Sequence, residues 1–260
     1  MTLQTDRILD RIGHEGSTAP TLEVLEELQR CFLHTVPFEN LDIQLGRRLS
    51  LASDDLYQKI ALRRRGGFCY ECNSLFHDLL TELGYRVEYV SARMAIGPEI
   101  SPEFDHMVLL VGLDAPYLVD VGNGQSCREP LALGSEHIAR SEGIEYRVAP
   151  HDSEHALYFR AAASEWAPRF LFDTTPRERI DFEPRCRYHQ TSPESPFTRA
   201  SLATIATPQG RVNLTGRSLT ETCGDDKHQS ELTSEAEIRD CLHHRFGIAL
   251  EELPASLTPP

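Results

Sequence analysis

Residues 63–73, "RRRGGFCYECN", set two glycines, an aromatic and two cysteines directly before a stretch with helical apolar spacing. A thiol attacks as thiolate, and an ordinary cysteine is only slightly ionised at neutral pH, so a nucleophilic Cys69 needs a helix N-terminus, a nearby imidazolium, or both. The sequence offers the first, since Gly66 and Gly67 let the chain turn into a helix start whose unpaired N–H groups favour a negative sulfur. Two later segments offer the rest. His106 opens the apolar run "HMVLLVGL", and Asp120 closes the run "YLVDV" before Gly122 and Gly124. A histidine and an aspartate near one edge of an antiparallel sheet can face a cysteine on a packed helix. His106 would then take the thiol proton while Asp120 fixes its tautomer and steadies the imidazolium. A core thiol without chemistry is the alternative, because free cysteines are among the most buried residues.

The pair Cys69 and Cys72 also invites a zinc or redox reading. Zinc wants further ligands at short spacing, yet no second CxxC exists, and "CLHH" at 241–244 is distant. A thioredoxin-type pair expects a βαβ context, whereas here helices precede and strands follow. No metal site is expected.

The elements that must position these residues fall into blocks. Residues 1–85 read mostly as helix: "TLEVLEELQRCFLHTV" with Thr21 as cap, "SDDLYQKIALRR" with Ser53 as cap, and a third helix from about Cys69 to Leu83 stopped by Gly84. From Tyr85 the period becomes two, and "YRVEYVSARM", "HMVLLVGL", "PYLVDVG", "EYRVAP", "ALYFRAA" and "PRFLFDTT" read as antiparallel strands. "HQTSPESP" reads as a linker, residues 199–222 as hairpin strands, "SEAEIRDCLHHRFGI" as a capped helix ending at Gly247, and "PASLTPP" as a frayed tail.

A chain of 260 residues, 40% hydrophobic, can bury a sizeable core. Lys plus Arg total 26 against 40 Asp plus Glu, a formal charge of −14, which argues against nucleic acid or an anionic membrane as partner. Nothing near the N-terminus resembles an apolar signal core, and no run approaches the roughly 20 apolar residues of a membrane span, so a cytoplasmic location is expected. Seven scattered cysteines make free thiols the default.

The motifs together resemble one family. "VPFENLDI" (36–43), "RRRGGFCYECN" (63–73), "DHMVLLV" (105–111), "LVDVGNG" (118–124), "TSPESPF" (191–197) and "GRVNLTG" occur in the order and near the spacing of arylamine N-acetyltransferases. The resemblance spans almost the whole chain. It implies an α+β, papain/transglutaminase-like fold with a helical domain at 1–85 carrying the nucleophile, an antiparallel β-barrel domain at 86–190 carrying His and Asp, and a linker with an α/β lid at 191–260. It also implies ping-pong transfer: acetyl-CoA, a co-substrate and not a bound cofactor, acylates Cys69, and an arylamine or hydrazine attacks the thioester. The catalytic set carried over is Cys69, His106 and Asp120. Phe38, Phe68, Met94, Gly122, Asn123, Gly124 and Phe197 match substrate-binding positions, and Glu39 and Arg65 match a supporting charged pair. Core packing is the plainer role for Phe68.

Three departures stand out. Asn123 replaces a usual Phe, exchanging an aromatic wall for an amide, so simple anilines should serve less well than polar acceptors. Cys72, one turn after Cys69, could trap an oxidised Cys69 sulfur, with a packed, inert thiol as the alternative. The segment "ELPASLTPP" is short beside the tails of some relatives, which leaves the CoA contacts of the lid open. Arg63, Arg64, Arg65 and Arg93 are candidate CoA cations, or a solvated basic face. An amide synthase of the same family, taking a polyketide acyl group from a carrier-protein thioester, is the alternative function.

Overall fold

The computed structural model describes residues 2–258 apart from positions 126, 163 and 225. Its N-terminal part is helical. Thr21 Oγ1 accepts from Val24 N at 3.4 Å and starts helix Leu22–Thr35, which buries Val24, Leu25, Leu28 and Phe32. The expected Ser53 cap is not formed. Ser53 is already helical, Ala52 occupies the cap position, and the second half of this segment, Tyr57–Leu62, is π-helical. The helix that begins at Cys69 runs to Glu82, and Gly84 follows at φ +90°, the left-handed conformation that glycine accepts without penalty. Every residue from Cys69 to Phe76 is buried, so this helix passes through the core instead of lying on it.

The central sheet is antiparallel. From one edge the strands run Leu131–Ala132, Pro116–Val119, His106–Gly112, Arg86–Ile96, Ala167–Phe172, Glu154–Ala161, Ile144–His151 and Ala139–Ser141. Glu99–Ile100 folds back on Arg86–Ile96, and the edge strand Leu131–Ala132 approaches Ile144–His151, so the sheet nearly closes into a barrel. Strand His106–Gly112 is covered on both faces. Met107, Leu109 and Val111 pack with the helices, whereas Val108 and Leu110 pack into the barrel core with Val90, Tyr146 and Phe170. That double burial explains its unbroken apolar run.

A second, five-stranded sheet combines Phe38–Glu39 with Leu202–Thr207, Gly210–Thr215, Ser218–Cys223 and Asp226–Glu231. Its core is completed by helix Glu235–Phe246, capped by Ser234 and ended by Gly247 at φ +67°. The segment read as a frayed tail is instead packed up to residue 258, since Leu257 is fully buried in this core; residues 259 and 260 lie outside the described residues. The segment read as a linker is only partly one. His189–Thr191 form the last turn of helix Glu183–Thr191, and Pro196–Arg199 form a further turn of helix capped by Ser195. Asn40 ties the two ends of the chain: its Nδ2 donates to the Phe197 and Ala200 carbonyls at 2.8 Å, and its Oδ1 accepts from Leu202 N at 2.7 Å. The molecule is thus α+β, with a helical N-terminal region, a near-closed barrel sheet and a C-terminal sheet-plus-helix layer.

Candidate active site

Cys69 is the first residue of its helix and is 3% exposed. The two preceding glycines are required by close approach and not by a special backbone angle. A Cβ on Gly66 would lie 1.8 Å from the Pro37 carbonyl oxygen, and one on Gly67 would lie 2.7 Å from Glu71 Cβ. The contact is fastened by Glu39 N donating to Gly67 O at 2.9 Å. Behind it, the fully buried Glu39 accepts from Arg65 Nη2 at 2.7 Å, and Arg65 Nη1 donates to Asp42 Oδ1 at 3.1 Å, which is the expected supporting pair. Lys59 extends the network to Asp42 at 3.0 Å and Glu71 at 2.7 Å. Buried Arg11 adds a brace by donating to the carbonyls of Ile60, Thr35, Arg64 and Arg65.

The histidine and aspartate meet as expected. His106 Nε2 lies 2.9 Å from Asp120 Oδ2, both side chains being almost fully buried. An ionised carboxylate only accepts, so Nε2 carries the proton and Nδ1 keeps a lone pair for the thiol. Burial alone would raise the Asp120 carboxyl. The His106 ring, Asn73 Nδ2 at 3.0 Å and Gly122 N at 2.9 Å outweigh it and hold the group below its ordinary range. Asn73, which the sequence reading passed over, fastens three pieces at once: its Nδ2 also donates to Met107 O at 2.7 Å, and its Oδ1 accepts from Val121 N at 3.0 Å. Gly122 is needed for the same closure, since a Cβ there would stand 2.6 Å from Cys69 Cα and 2.5 Å from Asn73 Nδ2.

Burial pushes the Cys69 thiol well above its ordinary value, and the Met107 N–H only partly offsets this. A buried thiol that passes its proton to an imidazole on the same cavity would form an ion pair instead of an isolated buried charge. Cys72 is fully buried, donates its S–H to Gly67 O at 3.3 Å, and does not line the cavity described next.

Cys69 and His106 open onto a cavity of about 540 Å³. Of the expected substrate-binding residues, Phe38, Met94, Gly122, Asn123 and Phe197 line it. Phe68 does not. It is wholly buried, with its ring 5.0 Å from Tyr70 and 5.5 Å from Phe197, so it supports the wall from behind. Gly124 faces an adjoining small cavity instead, near Thr204. Asn123 Oδ1 accepts from Arg169 Nη2 at 2.7 Å, so the residue that replaces an aromatic is held by a guanidinium. The proposed CoA cations are elsewhere: Arg63 and Arg64 are exposed, Arg65 is locked in its buried network, Arg93 pairs with Glu154, and none of the four lines this cavity.

The wall opposite the strands was not anticipated. His189, buried, accepts or donates at both nitrogens, to Ser195 Oγ at 3.1 Å and Asp105 Oδ1 at 3.0 Å, and Arg185 Nε donates to the same Asp105 oxygen at 2.6 Å. Burial would raise the Asp105 carboxyl, but the His189, Arg185 and Ser101 hydrogen bonds bring it down to about 2. Arg185 and His189 sit on helix Glu183–Thr191, whose polar sequence carries little amphipathic signal.

Known proteins resemble this chain in sequence and fold. A family model described as N-acetyltransferase matches residues 21–254. The arylamine N-acetyltransferase of Mycolicibacterium smegmatis is 36% identical over 261 residues, 97% of this chain and 94% of that protein. Proansamycin X synthase of Amycolatopsis mediterranei is 37% identical over 181 residues, 67% of this chain and 69% of that protein. The structure of Mycobacterium marinum arylamine N-acetyltransferase in complex with CoA superposes with a TM-score of 0.86 at 33% identity, covering 94% of this chain and 92% of that one. With a buried His–Asp pair and a helix-terminal cysteine on one cavity, and with these similarities along nearly its whole length, the chain belongs to the arylamine N-acetyltransferase family.

Proposed function

We propose that this protein transfers an acetyl group from acetyl-CoA to an arylamine or hydrazine by a ping-pong route through a Cys69 thioester. The observation that carries the reading is the His106–Asp120 hydrogen bond, which leaves His106 Nδ1 as the base on the cavity that Cys69 also lines. In the first half-reaction Cys69 gives its proton to Nδ1, the sulfur bonds to the acetyl carbon, and the CoA sulfur departs with the proton. In the second, the amine nitrogen attacks the thioester, loses a proton to Nδ1, and the C–S bond breaks as Cys69 is reprotonated. Cys69 N–H, at the helix start, is the candidate donor to the tetrahedral oxyanion. The CoA-bound relative supports the donor, and the relatives' activity supports the acceptor class. The test is acetylation of an aniline and a hydrazide from acetyl-CoA, with Cys69→Ala as control. Isolation of an acetylated Cys69 peptide before amine is added supports the route, and transfer that persists in Cys69→Ala refutes it.

A second reading is amide synthesis from a carrier-bound acyl thioester, favoured by the similarity to proansamycin X synthase and by the amide at position 123. Inertness toward CoA thioesters with acylation from a carrier thioester would select it. Position 123 also gives a graded test. Asn123→Phe should raise kcat/KM for simple anilines relative to a polar hydrazide about fivefold, the equivalent of ~1 kcal/mol of ring stacking. Equal ratios in variant and parent would show that this wall does not choose the acceptor.

A further inference from the structure

A second cluster of chemically competent side chains lies among the N-terminal helices, and none of its members lines the Cys69 cavity. His14 follows helix Leu3–Ile12 directly after its Gly13 cap, and Glu27 and Cys31 stand four residues apart on helix Leu22–Thr35. Four residues is about one helical turn, so the carboxylate and the thiol share a face. One imidazole nitrogen, one carboxylate oxygen and the sulfur all lie within 4.8 Å of one another.

The histidine supplies the argument for a ligand. Its side chain is 1% exposed, and Nε2 is 2.8 Å from the Ser17 carbonyl oxygen. A carbonyl only accepts, so Nε2 holds the proton and the neutral ring's Nδ1 carries a lone pair. That Nδ1 is buried without a hydrogen bond and faces Glu27 Oε1 at 3.6 Å, too far for one. A lone pair aimed at a carboxylate oxygen is repulsive unless a proton or a metal ion comes between them. The arrangement of one ring nitrogen free and the other anchored to a backbone carbonyl is the one metal-ligating histidines use. The loop is built to hold it: Tyr85 Oη donates to Thr21 O at 2.9 Å and Ala19 O at 3.3 Å, pinning the turn. Gly16 lies over the cluster, where a Cβ would stand 3.1 Å from His14 Cε1 and 3.2 Å from Glu27 Oε2.

We propose that His14 Nδ1, Glu27 and Cys31 form a binding site for a zinc-like divalent cation, with water in the fourth position. The donor set selects the metal class, because a thiolate with an imidazole suits zinc and its borderline neighbours and not magnesium or calcium. Binding releases the Cys31 proton to solvent and draws the three donors together, since tetrahedral zinc holds its ligands at about 2.0–2.3 Å. The site then fastens the 13–20 loop to the helix beside it.

Cobalt(II) is the probe, because a thiolate ligand gives it a charge-transfer band in the near ultraviolet. The full-length protein titrated with Co²⁺ should show this band, Cys69→Ser should keep it, and Cys31→Ser should lose it. Zinc affinity, read by competition with a chromophoric chelator, should fall at least about tenfold in Glu27→Gln, whose partly exposed side chain can change without loss of folding. Thermal melting of both variants in chelator checks that they are folded. No band in the parent, a band that survives Cys31→Ser, a band that disappears in Cys69→Ser, or zinc affinity unchanged in Glu27→Gln would each overturn the assignment.

Discussion

At the scale of single residues, Cys69 sets a problem that its neighbours solve. Burial pushes the thiol up, and His106, on the same cavity, is the base proposed to take its proton. His106→Gln should therefore slow labelling of Cys69 by iodoacetamide at pH 7 by roughly 100-fold, the usual weight of a general base. If labelling is unchanged, the sulfur is activated by something other than the ring. Asn73 was invisible in the sequence for a related reason: an asparagine on an apolar helix has no motif of its own, and its role appears only when Asp120, Met107 and Val121 are brought to it. Asp105 shows the same limit. It adjoins His106 in sequence, yet its partners Arg185 and His189 are eighty residues away or more. With its carboxyl lowered to about 2 from an ordinary 3.8, Asp105 contributes stability above pH 4 that is lost as pH falls through 2. The stability gap between parent and Asp105→Asn in urea melts should narrow steadily from pH 5 to pH 2. A constant gap would show that the carboxylate's charge is not what holds the helix to the strand.

Among the elements, closeness matters more than regularity. The Cys69 helix and the loop after Asp120 approach so tightly that Gly122 is the only residue type that fits between Cys69 Cα and Asn73 Nδ2. Gly122→Ala should cost about 1–3 kcal/mol in urea unfolding, as overpacking does. It should reduce kcat/KM about tenfold or more, because small displacements of reacting groups are expensive. A variant that loses stability with full activity would place the proposed catalytic residues outside this contact. The strands that carry His106 and Asp120 were legible because their period and flanking turns are strong, and the Cys69 helix because "RGG" and Gly84 bracket it. Helix Glu183–Thr191 was not, since "EPRCRYHQT" has one fully apolar face position at Cys186 and a Pro/Ser segment beside it. Tertiary packing on Phe182, Tyr70 and Phe197 decides its structure instead.

For the whole molecule, the sign of the charge poses the question that composition raised first. On the proposed function, a chain at −14 must receive a donor whose CoA moiety is itself anionic. The arginines nearest in sequence to Cys69 do not line the cavity, and among the described residues the one that does, Arg185, is paired with Asp105. Glu99, Asp105 and Glu194 share the same lining, so the mouth itself is net acidic. Approach of an anion is then opposed at long range, and salt relieves opposition of this kind because the Debye length shortens to about 10 Å near 0.1 M. Raising KCl from about 10 to 150 mM at fixed pH should increase kcat/KM for acetyl-CoA several-fold, a span over which screening becomes substantial. An uncharged acetyl thioester should respond little. A decrease for acetyl-CoA would mean that local cations outweigh the global charge and that the donor enters over a basic surface away from this mouth, and charge reversal of Arg47 and Arg48, exposed on a different face, would then locate it.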